Sequence, residues 1–293
     1  MMRLVVTGRN GQVAAALLEA AAGSPAIEVV ALGRPDLDLE QPETVGRAIA
    51  AAKPAIIVNS AAYTAVDKAE AEAERAFAVN RDGAAAAARA AQELGVPFIQ
   101  LSTDYVYPGD KPEPYEEDDA TGPLGVYGAS KLAGEIAVMA QHPRALILRT
   151  SWVYSPYGAN FVKTMLRVGR DREVVRVVDD QQGNPTSAID IAAAILRIAP
   201  GLSASSPGGT YHLCGTGSTT WCGLARRIFR TSAGLGGPSP RVEAISTADY
   251  PTPARRPANS RMNMDLFHAR FGFQPRPWQD AVDETVRRLV ALT

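Results

Sequence analysis

Cysteine is nearly absent from this 293-residue chain, which has only Cys214 and Cys222. Two cysteines are too few for a disulfide framework and lack the paired spacing of a zinc site, so both read as reduced, buried fillers. Long apolar runs are missing as well, and no stretch approaches the ~20 residues of a membrane span. Near the N-terminus the apolar residues 4–6 are too few for the core of a signal peptide. A cytoplasmic protein with no membrane partner is therefore expected. Neither charge is in excess: 30 Lys plus Arg stand against 31 Asp plus Glu, a net charge of −1. Duplex DNA normally demands a basic stripe, and no run of Lys and Arg supplies one, so no nucleic-acid partner is expected.

What is present is a chain long enough for two domains at ~150 residues each, with 46% hydrophobic residues to fill their cores. Residues 3–7 form a short β-branched run broken by Gly8, and residues 13–22 follow as an Ala/Leu-rich helical pattern. Strands over 28–32, 55–59 and 97–102 alternate with helices over 43–52 and 70–91, and a further helix and strand cover 127–141 and 145–149. Strands separated by helices of this length predict an α/β fold, a doubly wound parallel sheet of Rossmann type with right-handed crossovers. Its ligands should sit at the carboxyl ends of the strands. Beyond residue 150 the elements shorten and Pro, Gly and Ser increase, with surface loops expected over 200–209 and 234–240. The expected division is a dinucleotide-binding domain over 1–150 and a smaller C-terminal substrate-binding domain over 151–293. Segments 174–178 and 211–214 are candidates for strands returning to the first sheet.

Three patterns carry chemistry. Gly8-Arg9-Asn10-Gly11-Gln12-Val13-Ala14 lies between a strand and a helix, where glycines permit a tight turn and backbone amides can approach a pyrophosphate. The spacing is Gly-x-x-Gly-x-x-Ala, not Gly-x-Gly-x-x-Gly, so the strand and helix around it supply much of its meaning. At the end of the second strand, where a carboxylate would hold the ribose of NAD, the chain has Gly33-Arg34. Arg34 can pair with a 2′-phosphate, which slightly favours NADPH over NADH, or it can be an exposed loop arginine. Asp38 and Leu39 offer a carboxylate and a backbone group near the adenine instead. In Tyr127-Gly128-Ala129-Ser130-Lys131 the phenol and ammonium lie four apart on one helix face. With Thr103 at the mouth of the fourth strand they are the parts needed to protonate a carbonyl while a hydride arrives.

These residues resemble the extended short-chain dehydrogenase/reductase family, and the resemblance runs nearly end to end. It takes in Gly8 to Val13, the run Asn59-Ser60-Ala61-Ala62-Tyr63-Thr64-Ala65-Val66-Asp67-Lys68-Ala69-Glu70, and Ser102-Thr103-Asp104-Tyr105-Val106-Tyr107. Tyr127 to Lys131, Arg149-Thr150-Ser151-Trp152-Val153-Tyr154 and Tyr250-Pro251-Thr252-Pro253-Ala254-Arg255-Arg256-Pro257 complete it. The resemblance implies NAD(P)H-dependent reduction of the C4 carbonyl of dTDP-4-dehydro-L-rhamnose to dTDP-L-rhamnose, with that sugar nucleotide as the small-molecule partner. It makes Tyr127 the proton donor, gives Lys131 the tasks of lowering its pKa and holding the nicotinamide ribose, and sets Thr103 at the reacting oxygen. For the cofactor it adds Gly8, Asn10, Gly11, Gln12 and Val13 at the pyrophosphate. Asp38 and Leu39 would flank the adenine, and Ala62, Tyr63, Thr64 and Leu101 would line the rest. Thr103, Asp104 and Trp152 match positions that contact the sugar nucleotide. An indole face suits a deoxysugar ring and its methyl, and Arg255, Arg256 and Arg261 form a local cationic group suited to a diphosphate.

Some members of the family hold Mg2+ through interface glutamates. Here the first-helix position is Ala16, and Ile189-Asp190 does not align with a glutamate, so no metal is expected and both a monomer and a homodimer stay open. Two other readings share the fold. A sugar-nucleotide epimerase/reductase would need a further acid/base, often Cys or His, and none of His142, His212 and His268 lies in the Thr103 or Tyr127 blocks. A non-catalytic regulatory subunit would have no need of Thr103, Tyr127 and Lys131.

Overall fold

A computed structural model describes residues 1–291. The first half runs β1 (Met2–Thr7), α1 (Gln12–Ala20), β2 (Ile27–Leu32), α2 (Pro42–Ala51) and β3 (Ile56–Asn59), then α3 (Val66–Ala69), α4 (Ala73–Phe77), a π-turn (Ala78–Gly83) and α5 (Ala84–Leu94). It continues through β4 (Phe98–Thr103), α6 (Val126–Gln141) and β5 (Leu146–Thr150). The second half holds β6 (Val153–Tyr154), α7 (Phe161–Asp171), β7 (Val174–Val178), β8 (Gln182–Gly183), β9 (Thr186–Ser187), α8 (Ala188–Ile198) and β10 (Gly209–His212). After these come β11 (Thr219–Thr220), α9 (Trp221–Ala233), β12 (Arg241–Ile245), α10 (Asp265–Phe271) and α11 (Trp278–Val290). Among the described residues no helix is long and apolar enough to cross a membrane.

Six strands form one parallel sheet in the order β10-β5-β4-β3-β1-β2. Its strands are apolar on both faces because both faces are covered. Ile56 and Val58 pack toward α1 and α8, while Ile57 between them packs toward α2 and α5. The near-unbroken alanine tract of α5 keeps that helix thin, and six of its alanines are buried. A separate apolar cluster in the second half joins α7, α9 and α11 around Val162, Phe229 and Val282.

Two expectations change. Residues 70–91 are not one helix: the chain turns at Glu70 to Glu72, and a π-turn over Ala78–Gly83 stands between α4 and α5. Of the two candidate returning strands, β10 joins the main sheet beside β5, but β7 pairs with β12 in a two-stranded sheet of its own. The reason is visible in β7, where exposed Arg176 alternates with buried Val175 and Val177, a one-sided pattern that a doubly covered sheet rejects.

Candidate active site

The chain leaves β1 toward β2 on one side and reaches β3 on the other, so the sheet has its switch point at β1. There the strand ends open into a cavity of about 900 Å³. Gly8 adopts φ +88°, and a Cβ on it would come within 3.1 Å of the Ala61 backbone. Only glycine suits that backbone and that approach. Gly11 caps α1 with no side-chain hydrogen bond, which leaves the first helical N–H groups free for an anion at the positive end of the helix. Asn10, Gln12 and Val13 line the same wall. The Gln12 side chain is turned to another task, because its Oε1 accepts from Ser155 Oγ (2.7 Å) and Asn160 Nδ2 (2.9 Å) of the second half.

At the far end, Arg34, Asp38 and Leu39 all line the cavity. Sequence reasoning passed over Arg9, which lies across Gly33: a Cβ on Gly33 would sit 2.9 Å from the Arg9 Cβ. The Arg9 guanidinium pairs with exposed Asp36 and donates to the Ala31 carbonyl (3.4 Å). Arg34 makes no hydrogen bond or ion pair among the described residues. Ala62, Tyr63 and Thr64 follow β3 along the cavity. Tyr63 is held by Asn80, whose Oδ1 accepts from the Tyr63 N–H (2.8 Å) and whose Nδ2 donates to Ser130 Oγ (2.9 Å). Asn80 sits in the π-turn, and the helical pattern around it hid the break that aims it inward.

The reacting end is built where α6 crosses β4. Two glycines let α6 seat closely: a Cβ on Gly128 would lie 2.2 Å from the Tyr105 carbonyl oxygen just after β4, and one on Gly134 would lie 2.0 Å from that of Asn80 in the π-turn. Tyr127 lines the cavity with Thr103 and packs edge-on against Tyr105 at 5.5 Å. Burial pushes the Tyr127 phenol up to about 12, with the nearby Thr103 hydroxyl opposing and the Asp104 charge adding to it. Lys131 Nζ donates to the Leu101 carbonyl (2.7 Å). Burial lowers Lys131 to about 8, and the Glu135 charge one turn along α6 opposes that fall. Asp104 Oδ1 accepts from Thr103 Oγ1 (3.0 Å), while its buried Oδ2 has no partner among the described residues. Burial raises this carboxyl to about 6, with the nearby Ser260 and Thr103 hydroxyls opposing the rise.

Behind Lys131 runs a buried chain that motif reading did not reveal. Glu135 accepts from Arg149 Nη2 (2.7 Å) and from Ser102 Oγ; Arg149 Nη1 donates to Tyr107 Oη (2.7 Å). Tyr107 Oη lies 2.7 Å from His212 Nε2, and His212 Nδ1 lies 2.8 Å from the Asn263 carbonyl. A carbonyl can only accept, so Nδ1 bears a proton. Burial, aided by Arg149, lowers His212 to about 4. His212 and Cys214 are buried outside the cavity walls, so neither supplies the extra acid/base of an epimerase.

The remaining expected substrate residues divide. Trp152 lines the cavity, but its faces are covered. Trp221 stacks on one at 3.7 Å and 9°, and the backbone of Gly183 closes on the five-membered ring from the other. The face stacked on Trp221 is closed to a ligand. Arg255 and Arg256 are not on the cavity walls. Arg256 is engaged with Asp67 of α3 through Nη2 to Oδ2 (2.8 Å) and Nη1 to Oδ1 (3.1 Å), a cross-half ion pair that sequence spacing could not show. Arg261 donates to Asn259 Oδ1 (2.8 Å) and to the Pro112 carbonyl. At the positions considered for Mg2+, Ala16 is buried and carries no side-chain donor, and the Arg276 guanidinium bridges Asp190 and Glu284.

A phenol kept protonated, with a buried ammonium one helical turn away and a strand-end hydroxyl on the same cavity wall, is suited to handing a proton to a carbonyl. Joined to a dinucleotide cradle on a parallel sheet, this is the working arrangement of a short-chain dehydrogenase/reductase. The family model described as the RmlD substrate binding domain matches residues 2–291. A dTDP-4-dehydrorhamnose reductase of Sinorhizobium fredii is 52% identical over 99% of this chain and 97% of its own length, and that of Escherichia coli K12 is 42% identical over 100% and 99%. The crystal structure of dTDP-4-dehydrorhamnose reductase from Bacillus anthracis in complex with NADP superposes with a TM-score of 0.91 at 35% identity, covering 98% of this chain and 100% of that one. The chain belongs to the dTDP-4-dehydrorhamnose reductase family.

Proposed function

We propose that the chain reduces the C4 carbonyl of dTDP-4-dehydro-L-rhamnose with NAD(P)H to give dTDP-L-rhamnose, the last step of dTDP-rhamnose synthesis. The observation that carries this reading is the convergence of Thr103, Tyr127 and Lys131 at the mouth of β4, on the wall of the same cavity as the glycine turn. The cradle fits a dinucleotide: the uncapped N-terminus of α1 for the pyrophosphate, Asp38 and Leu39 at the adenine, Tyr63 and Leu101 toward the nicotinamide. When bound, the nicotinamide supplies the hydride. The protein supplies the rest. Tyr127 is protonated at neutral pH and gives its proton to the carbonyl oxygen. Thr103 hydrogen-bonds that oxygen, and Lys131, held at the Leu101 carbonyl, is placed to bind the nicotinamide ribose and favour the phenolate as it forms. Asp104 Oδ2, buried without a partner, and Trp152 are the groups we assign to the sugar. We assign the site to a single chain, an assignment that suits a monomer and a homodimer alike. We assign the reaction to the cytoplasm, where NAD(P)H is supplied.

The test is loss of NADPH absorbance on adding dTDP-4-dehydro-L-rhamnose to the native protein and to Tyr127→Phe. General acid catalysis is worth ~100-fold or more, so the variant should lose about that factor in kcat. Cofactor binding without oxidation by the native protein would point to a regulatory subunit; equal rates would remove Tyr127 as the acid.

A further inference from the structure

Trp152 holds a backbone conformation that bulky residues avoid, φ +47°, at the wall of the cavity. Such a position persists only where its surroundings impose it. Three contacts impose it here. Trp221 lies parallel to the indole at 3.7 Å, Phe161 tilts onto the far side of Trp221 at 4.7 Å, and Gly183 leaves no room for a Cβ, which would lie 2.5 Å from Trp152 Cε2. The backbone on either side is pinned too: Ser151 Oγ donates to the Asn184 carbonyl (2.7 Å), and Val153 pairs with Thr186. Trp221 itself does not line the cavity. It opens α9, with Thr220 as its capping residue, and packs against the apolar cluster of the second half.

We propose that Trp221 is a positioning residue for the sugar nucleotide. It acts through Trp152, clamping that indole against Gly183 so that the stacked face is closed to the ligand, and it couples the substrate wall to the core of the second half. This rests on the reductase reading above. Without Trp221, one face of Trp152 loses its partner and the residue is free to leave the left-handed region. The wall that receives the sugar then loses its shape, while Gly8, Asp38, Leu39 and Tyr63 of the dinucleotide cradle belong to elements that the stack does not include.

The test compares native protein, Trp221→Leu and Trp221→Phe. Two indoles stacked this closely couple their transitions, so the native protein should show an exciton couplet in circular dichroism, lost in both variants. Saturating sugar nucleotide should alter the native couplet. Trp221→Leu should raise KM for the sugar nucleotide roughly fivefold or more, given what aromatic stacking contributes, with KM for NADPH unchanged. Trp221→Phe, which restores a stacking ring, should recover most of that loss and serves as the test if the leucine variant does not fold. A lost couplet with unchanged sugar-nucleotide KM would overturn the proposal, as would an equal loss for both substrates or a native couplet indifferent to the sugar nucleotide. A native protein that never oxidises NADPH would instead reject the reductase reading, and the couplet would still report the stack.

Discussion

Replacing Arg9 by alanine should lower the preference for NADPH over NADH, and the structure sets how much. Arg9 occupies the space above Gly33 where a ribose-binding carboxylate would otherwise stand, and its guanidinium is already paired with an anion, Asp36. A 2′-phosphate offers the same guanidinium a stronger acceptor. Charge-assisted hydrogen bonds of this kind contribute about 1.5–3 kcal/mol when shielded. Arg9 is 39% exposed and its present partner Asp36 is 60% exposed, so screening by water and salt brings the expected contribution to about 1 kcal/mol. That is a factor of roughly five in affinity. The assay is kcat/KM for NADPH divided by kcat/KM for NADH at one fixed ionic strength. Arg9→Ala should lower this ratio about fivefold, and Asp36→Asn, which removes the competing anion, should raise it. The effect should shrink at high salt. An unchanged ratio in Arg9→Ala, with a fall in Arg34→Ala, would refute the reasoning and return the role to Arg34.

Other outcomes rest on the buried groups. Lys131 keeps its proton below about 8 and loses it as pH rises through that value, so kcat/KM should fall on the alkaline side. Glu135→Gln removes the charge that opposes the lowering, and should move that falling limb to lower pH; a limb that stays put would separate it from Lys131. His212 is neutral in the folded protein down to about 4 and takes up a proton near 6.5 when unfolded. The unfolded chain therefore binds more protons in this window, and stability should fall as pH drops from 6.5 toward 4, by about 2 kcal/mol at pH 5. Urea denaturation of native protein and His212→Gln at pH 7 and pH 5 checks this, because the variant should lose less between the two. Gly134→Ala would drive a methyl into the Asn80 carbonyl oxygen 2.0 Å away, and should lower stability by about 1–3 kcal/mol as overpacking does. Near-native stability with native kcat would show that α6 does not need this close approach.

Particular residues show how far motif and period reach. The alternation of strands and helices through residue 150, the turn at Gly8 and Gly11, and the Tyr127, Lys131 and Thr103 group were legible because each is local: a period, a turn, or a spacing on one helix face. Arg9 was in plain view inside the glycine motif, but its importance depends on lying over Gly33, a residue of another strand end. Asn80 and Glu135 were hidden inside helical patterns, since nothing in a helical period says which polar residue meets a neighbouring element. Arg256 was read correctly as a cation and incorrectly as an open one, because its partner Asp67 is distant in sequence and near in space.

By itself, then, the sequence determined the doubly wound sheet, the glycine turn after β1 and the placing of Tyr127 and Lys131 on one helix face, all set by backbone preferences and short-range periodicity. The tertiary structure alone decided that β10 returns to the sheet while β7 does not, that Arg256 is tied to Asp67, and that one face of Trp152 is taken by Trp221. These depend on pairings between segments far apart in the chain, settled by which surfaces remain to be covered once the sheet has formed.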